Sequence, residues 1–178
     1  MAKAGELVQS FIGAAVLIDA ADLGAAAHRV RLFWTNFIKP EILQAALPTG
    51  LKPNPNLSQI LSHHHTPSIP SHRDRFPFLA HNRIGEQRLC MPTLVSFLRC
   101  NAFRAKIDGS PREGQVYNSL AGVWEEPDVE EKEALMGYTK GTTTTNNITE
   151  NQRSIRLGRA LDGTTMRWLG AFIAATHK

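Results

Sequence analysis

Two arginines stand two positions apart between two short apolar runs of this chain. Arg29 and Arg31 follow Gly24 across a stretch rich in alanine. A guanidinium is planar and always charged, and it donates hydrogen bonds in a fixed fork that can hold two acceptors at once. The pair can therefore serve a binding pocket. The alternative is that both arginines brace the edge of a sheet.

Positive charge is concentrated in the middle of the chain. Residues 63–112 contain eight Lys or Arg and three Asp or Glu, a net charge of +5, and five of the seven histidines. Residues 124–178 contain seven basic and eight acidic residues, a net charge of −1. A local basic excess is what a phosphate-facing surface requires, and a solvated loop without a partner is the alternative. The side chains predicted to face a DNA backbone are Arg73, Arg75, Arg83 and Arg88.

Neither the histidines nor the cysteines form a metal-binding pattern. His63, His64 and His65 are adjacent, so their side chains point in different directions and are poorly placed to share one tetrahedral ion. A solvated or phosphate-facing loop is the preferred interpretation, with no metal. Cys90 and Cys100 form no redox or metal motif, which favours a reducing compartment. No apolar run reaches the roughly 18 residues that a membrane span needs, and residues 1–18 do not resemble a signal peptide.

The chain divides into three zones. Residues 14–20 and 31–37 each contain a short apolar run that does not alternate, which predicts strands covered on both faces, as in a parallel sheet with helices around it. Residues 38–122 are rich in proline, which argues against long regular elements, although residues 94–97 suggest a short strand. Trp34 and Trp124 are assigned to the core rather than to stacking platforms.

The third zone, residues 123–178, is predicted to be helical. Asp128 and Glu131 have the spacing of a capping box, and Gly137 would end that helix. Residues 149–152 form a second capping box after a threonine-rich loop. A last helix would carry Met166, Leu169 and Ile173 on one face, spaced to pack on a sheet.

The segment around the two arginines resembles a motif of DNA cytosine-5 methyltransferases. Those enzymes carry Gly-x-Pro-Gln-x-Arg-x-Arg between two strands, and Gly24, Arg29 and Arg31 stand at the matching spacing. Alanines replace the proline and the glutamine of that motif. The following residues 31–36, Arg-Leu-Phe-Trp-Thr-Asn, resemble the Arg-x-Phe-Trp-x-Asn of the de novo branch of the family.

Two further matches follow in the family's order. A helix glutamate six positions before a Gly-Phe or Gly-Tyr pair is matched by Glu131 with Gly137 and Tyr138. Residues 156–161, Arg-Leu-Gly-Arg-Ala-Leu, resemble the Gly-Arg-Ser motif that leads into the final helix of the de novo branch. The three ordered matches cover nearly the whole chain.

Other motifs of the family do not occur in these 178 residues. The sequence contains no Phe-x-Gly-x-Gly loop for S-adenosylmethionine, no Pro-Cys loop for the nucleophile and no Glu-Asn-Val motif. The segment Glu150-Asn151 continues with glutamine, and it is interpreted as helix capping. The resemblance thus implies the C-terminal part of a catalytic domain, beginning about two-thirds of the way along it.

The resemblance implies a fold, a chemistry and site residues. The fold would be α/β, the C-terminal portion of a Rossmann-like S-adenosylmethionine-dependent methyltransferase domain, with residues 1–37 as rear strands, 38–122 as an irregular target-recognition insert and 123–178 as the helical closing segment. Arg31 would hold the flipped target cytosine, with Arg29 supporting the loop or a phosphate. Residues near the cofactor would be Arg159, Ala160 and Leu161, and a plain turn into the last helix is the alternative for them.

The implied function is partial. The chain would contribute target-DNA recognition and part of the S-adenosylmethionine site, and it would be inactive alone. Its partners would be DNA and a chain supplying the N-terminal half of the domain, in an intracellular compartment, the nucleus if the source is eukaryotic. The alternatives are a non-catalytic DNA-binding or regulatory methyltransferase-like protein, or a decayed gene fragment.

The local charge of +5 predicts weak, salt-sensitive DNA binding. If about four phosphates are contacted, log affinity falls with log salt at a slope of about −3.6, because each phosphate contributes roughly −0.9. Titration of labelled duplex DNA over a salt series measures the slope. Replacing both Arg73 and Arg75 by alanine should flatten it. Affinity that does not depend on salt, or no binding at low salt, contradicts the prediction.

Overall fold

The computed structural model describes residues 13–36, 38–48, 56–67, 91 and 115–176. Arg73, Arg75, Arg83, Arg88, both cysteines and the strand predicted at 94–97 lie outside the described residues. Within the described part of the chain, no helix is long and apolar enough to cross a membrane. The strands are β1 (Val16–Asp19), β2 (Val30–Phe33), β3 (His65–Pro67), β4 (Val116–Asn118) and β5 (Val123–Glu125). The α-helices are α1 (Pro40–Ala46), α2 (Leu57–Ile60), α3 (Val129–Leu135), α4 (Glu150–Arg159) and α5 (Gly163–Thr176).

The first two strands pair with each other, but they run antiparallel. Val16 lies opposite Phe33 and Asp19 opposite Val30. The prediction of two strands is confirmed, whereas the expectation of a parallel arrangement is wrong for this pair. The reason is the short connection, because a parallel pair needs a crossover of roughly a dozen residues or more, usually a helix. An antiparallel edge strand on an otherwise parallel sheet is common in α/β domains.

The connection between β1 and β2 is a tight turn. It contains a 3₁₀ turn at Ala20–Leu23, which ends at Gly24 in the left-handed conformation with φ +94°. A residue with a Cβ is strained at this φ, so glycine suits the position. The turn returns the chain directly to Arg29, the last residue before β2, and to Arg31 on that strand.

A second sheet has the antiparallel order β3-β4-β5. Its buried Val116 packs in a cluster with helix residues from α2 and α3 and with Met91. The backbone of Met91 exchanges hydrogen bonds with the segment between β1 and β2, at Ala26 and His28. The elements in the described parts of 38–122 are short, and Met91 ties this region to the turn that precedes β2.

Both predicted capping boxes are confirmed. Asp128 and Glu131 exchange side-chain and backbone hydrogen bonds at the start of α3, and Thr149 and Gln152 do so at the start of α4. Each box satisfies amide groups that have no partner inside the helix. Helix α3 ends as predicted, with Gly137 at φ +74° just beyond its last turn.

The face that α5 presents to the core differs from the predicted one. Trp168, Leu169 and Phe172 pack against buried side chains of β1 and α1. These positions follow the i, i+1, i+4 spacing of one helix face. Met166 is 45% exposed, so its assignment to the core face is wrong, while Leu169 is correctly assigned and Ile173 is half-buried. Apolar residues lie on more than one face of this helix, so the sequence pattern did not identify its core face. The stacked pair Trp168 and Phe172 lies on the core face.

Gly137 is predicted to tolerate no side chain. A Cβ there would lie 2.5 Å from Thr164 Oγ1 and 3.0 Å from the Thr164 amide, at a positive φ. Gly137→Ala should lower the free energy of unfolding by about 1–3 kcal/mol. The control is Gly170→Ala within α5, where a Cβ meets nothing within 4 Å and alanine should stabilise by about 0.5–1 kcal/mol. Urea unfolding measures both, and equal stabilities of the two variants would contradict the packing described here.

Candidate functional site

Arg29 is a buried cation that joins two distant parts of the chain. Its residue is 2% exposed. Nε donates to the carbonyl of Ala160 at 3.1 Å, and Nη2 donates to the carbonyls of Gly158 at 2.7 Å and Leu157 at 3.3 Å. These carbonyls lie at the C-terminal end of α4, where helix carbonyls lack intrahelical partners and carry partial negative charge. The guanidinium thus caps α4 from a residue about 130 positions earlier.

Asp19 fixes the backbone that carries Arg29. Its Oδ1 accepts hydrogen bonds from the amides of Ala21 and Arg29, and its Oδ2 lies 2.7 Å from Nδ1 of His28. Burial raises the pKa of Asp19, but the hydrogen bond and charge of His28 and the two amides outweigh it and lower the pKa below 3.8. The carboxylate at the end of β1 therefore stays ionised and closes the turn in front of β2.

Charged groups of both signs act on Arg29. Burial, with the nearby charge of Arg31, lowers the pKa of Arg29 to about 10, while Asp162 and Tyr138 act in the opposite direction. Arg29 therefore remains charged at neutral pH. Burial also raises the pKa of Asp162 above 3.8, against the hydrogen bonds of the Thr165 and Thr164 amides. Asp162 Oδ1 accepts these two hydrogen bonds at the start of helix α5. The charge of the same side chain acts on Arg29.

The structure brings two of the predicted site segments together. Arg29 bonds directly to the chain at Ala160, inside the segment expected near the cofactor. In that segment Arg159 is exposed and Leu161 is 43% exposed, and the Tyr138 hydroxyl donates to the Leu161 carbonyl.

Arg31 occupies a different environment from Arg29. It is half-buried on β2 opposite Ile18, and its Nη1 donates to the carbonyl of Val30 at 2.7 Å. The described contacts of Arg29 are to carbonyls at the end of α4, and its role in support of a loop or a phosphate stays a prediction. The role of Arg31 at a target base stays a prediction.

His65 is a residue that the sequence interpretation placed wrongly. It was expected in a solvated or phosphate-facing loop, but it is buried on β3. Its Nδ1 lies 2.7 Å from Glu131 Oε1, and its Nε2 lies 2.9 Å from Glu125 Oε1. His63 is exposed, in keeping with a solvated position. Among the described residues, no group of three or more His, Cys, Asp or Glu side chains could hold a metal ion.

Glu133 is a second buried acid that the sequence did not reveal. Its Oε1 accepts from the Thr143 amide at 2.6 Å and pairs with Arg153 of α4 at 3.1 Å. Burial raises the pKa of Glu133, but hydrogen bonds from Thr143, Arg153 and the Gly141 amide outweigh it and lower the pKa below 4.5. One carboxylate therefore orders the threonine-rich loop between α3 and α4. The sequence of α3 contains three glutamates and does not indicate that Glu133 is the one that binds the threonine-rich loop.

Comparison with solved structures identifies methyltransferases. The methyltransferase EhMeth of Entamoeba histolytica matches with a TM-score of 0.52 and 15% identity, over 93% of this chain and 54% of that chain. The Dnmt2 methyltransferase of S. pombe matches with a TM-score of 0.54 and 11% identity, over 99% of this chain and 61% of that chain. In all, 44 chains of solved structures match. No protein-family model and no curated protein sequence matches.

These similarities define the fold of the chain. It is α/β, and it resembles part of the fold of these methyltransferases, as the sequence predicted. The chain spans 54% and 61% of the two methyltransferases that it matches. Identities of 15% and 11% establish the fold and leave the chemistry to be argued from the site.

The Arg29 contacts predict a clear cost for a lysine at this position. Lysine keeps the charge but loses the planar fork, so the carbonyls at 157–160 cannot all be satisfied. Arg29→Lys should lower the free energy of unfolding by about 1.5–3 kcal/mol, the range for hydrogen bonds to a charged group. The control is Arg156→Lys on the exposed side of α4, which should change stability by less than about 0.5 kcal/mol. Urea unfolding of both variants decides the matter, and an unchanged Arg29→Lys protein would show that the contacts contribute little.

Proposed function

We propose that this chain is part of a DNA cytosine-5 methyltransferase domain of the de novo type. It would supply the arginine that contacts the target base and one wall of the S-adenosylmethionine site. The observation that carries the proposal is the bond from Arg29 to the carbonyl of Ala160. It connects the two segments that resemble the family's base-binding and cofactor-proximal motifs, which lie about 130 residues apart in the sequence.

The chemistry assigns separate tasks to these residues. Cytosine must leave the duplex before its ring can be modified. Arg31 would hold the flipped base, because its fork can donate to the ring oxygen and to a nearby phosphate. Arg29, buried and fully engaged at the end of α4, would set the position of β2 and hence of Arg31. The nucleophilic cysteine that the reaction needs would come from the remainder of the domain, in another chain or in further sequence of the same protein.

The cofactor segment fits a ligand of this kind in two respects. Leu161 exposes 43% of its surface, an apolar contact for a flat heterocycle. Its backbone and that of Ala160 are held by Tyr138 and Arg29 instead of being free to move. S-adenosylmethionine, when bound, supplies the methyl group, and the residues that would contact it here are Arg159, Ala160 and Leu161.

A second candidate function is a non-catalytic DNA-binding or regulatory methyltransferase-like protein. The observation that favours it is the sequence itself, in which neither cysteine follows a proline and no Phe-x-Gly-x-Gly loop occurs. In that case the fold and the basic insert would serve binding alone. A decayed gene fragment would lack both methylation and specific binding.

The proposal predicts that activity appears only when the domain is completed. The chain is incubated with labelled S-adenosylmethionine and duplex DNA carrying a mechanism-based cytosine analogue, alone and with the N-terminal half of a related enzyme. Alone it should give neither methyl transfer nor a covalent adduct, because the Pro-Cys loop is not in its sequence. With the added half, both should rise above the level of that half by itself.

The same assay tests the base-binding arginine. Arg31→Ala should lower methyl transfer by the completed domain roughly 10- to 100-fold, since hydrogen bonds to a charged group are worth about 1.5–3 kcal/mol. The matched control, Arg156→Ala on the exposed side of α4, should leave the rate unchanged. Methyl transfer by the chain alone refutes its partial nature. DNA binding without activity in every combination would favour the regulatory function.

A further inference from the structure

His65 sits between two acidic side chains at the base of the second sheet. Its side chain is 5% exposed, and each of its ring nitrogens lies within hydrogen-bond distance of a different carboxylate, from Glu131 and Glu125. A carboxylate only accepts hydrogen bonds, so each ring nitrogen that bonds to one must carry a hydrogen. The geometry therefore requires the doubly protonated, positively charged imidazole.

Glu131 is held in its ionised form by several donors. Its Oε1 accepts from the Ser62 amide and from His65, both at 2.7 Å, and its Oε2 accepts from the Asp128 amide at 2.8 Å. Burial raises the pKa of Glu131, but these hydrogen bonds and the charge of His65 outweigh it and lower the pKa below 4.5. The capping box of α3 and the partner of His65 thus share one carboxylate.

The network joins the three strands of the second sheet. His65 belongs to β3, and Asn118 belongs to β4. Asn118 Nδ2 donates to the same Glu125 oxygen at 2.8 Å, and Glu125 lies on β5. Through Glu131 the sheet is fastened to the first turn of α3.

We propose that protonated His65 is a pH-dependent latch that fastens the β3-β4-β5 sheet to helix α3. The latch is closed when the imidazole is charged. When the imidazole loses a proton, one ring nitrogen becomes an acceptor that faces a carboxylate, and one of the two bonds is replaced by repulsion. The inference does not depend on whether the chain acts on DNA.

The groups that face His65 determine the pH range of the latch. Two of them are acids, Glu131 of α3, whose capping partner is Asp128, and Glu125 of β5. The third is His64, whose ring centroid lies 4.3 Å from that of His65. Burial lowers the pKa of His65, but the hydrogen bonds and charges of Glu131 and Glu125 outweigh it and raise the pKa above 6.5. Stability from His65 is therefore complete below about pH 6.5 and is lost as the pH rises through the raised pKa. Stability from Glu131 is present above pH 4.5 and is lost as the pH falls through its lowered pKa.

The test measures thermal unfolding of the full chain as a function of pH, together with NMR titration of the histidine rings. The ring of His65 should titrate above about pH 6.5, the ordinary value for histidine. His65→Gln should lower Tm by roughly 4–8 °C at pH 6, and the difference from the wild-type protein should shrink as the pH rises through the His65 midpoint. His63→Gln is the matched control, two residues away, and should retain the wild-type profile.

A third variant separates the latch from a merely structural histidine. Glu125→Gln removes one charge on the exposed side of the network and should shift the His65 midpoint to lower pH. If His65→Gln does not fold, the wild-type titration and the Glu125→Gln shift still decide the proposal. A His65 midpoint at or below about pH 6.5, or an unshifted midpoint in Glu125→Gln, overturns it.

Discussion

One buried guanidinium holds this part of the fold together. Arg29 lies in the connection that leads into β2, and its side chain donates to the carbonyls of Leu157, Gly158 and Ala160 at the end of α4. Losing a partner for a buried polar group costs more than an average hydrogen bond contributes. The position of β2, the end of α4 and the start of α5 therefore depend on one side chain. Asp19 and Asp162 serve that side chain, the first by fixing its backbone and the second by balancing its charge.

A second constraint acts on the helical third of the chain. Glu131 and Glu133 lie two positions apart on α3. Both are completely buried, and each binds a different part of the structure. Glu131 connects the helix to the second sheet through His65, and Glu133 connects it to α4 through Arg153. Buried carboxylates are costly unless they are paired and hydrogen-bonded. Here every oxygen of the two acids has at least one donor within the described residues.

Local signals in the sequence predicted local structure well. The two capping boxes and the left-handed Gly137 follow from residue types within a few positions of one another, and the structure confirms them. The strand direction was predicted wrongly although its cause is local, because the connection between β1 and β2 is too short for a parallel crossover. The core face of α5 and the burial of His65 were predicted wrongly because each is decided by contacts with remote parts of the chain. His65 meets Glu131 across 66 positions, which no pattern of three histidines discloses. The contact from Arg29 to Ala160 is likewise invisible to spacing, although the resemblance had marked both segments.

The contrast between short and long sequence separation also bears on the order in which the chain assembles. The α3–loop–α4 unit is closed by bonds such as Arg153 to Glu133, only 20 residues apart, whereas the Arg29 bond to Ala160 spans 131 residues. Closing a long loop costs more conformational entropy than closing a short one, and local contacts form faster. The helical hairpin, with a capping box at the start of each helix, can thus form early as a unit of its own. Arg29 would then cap an α4 helix that has already formed. The long-range step would consist of docking one arginine instead of ordering two segments at once.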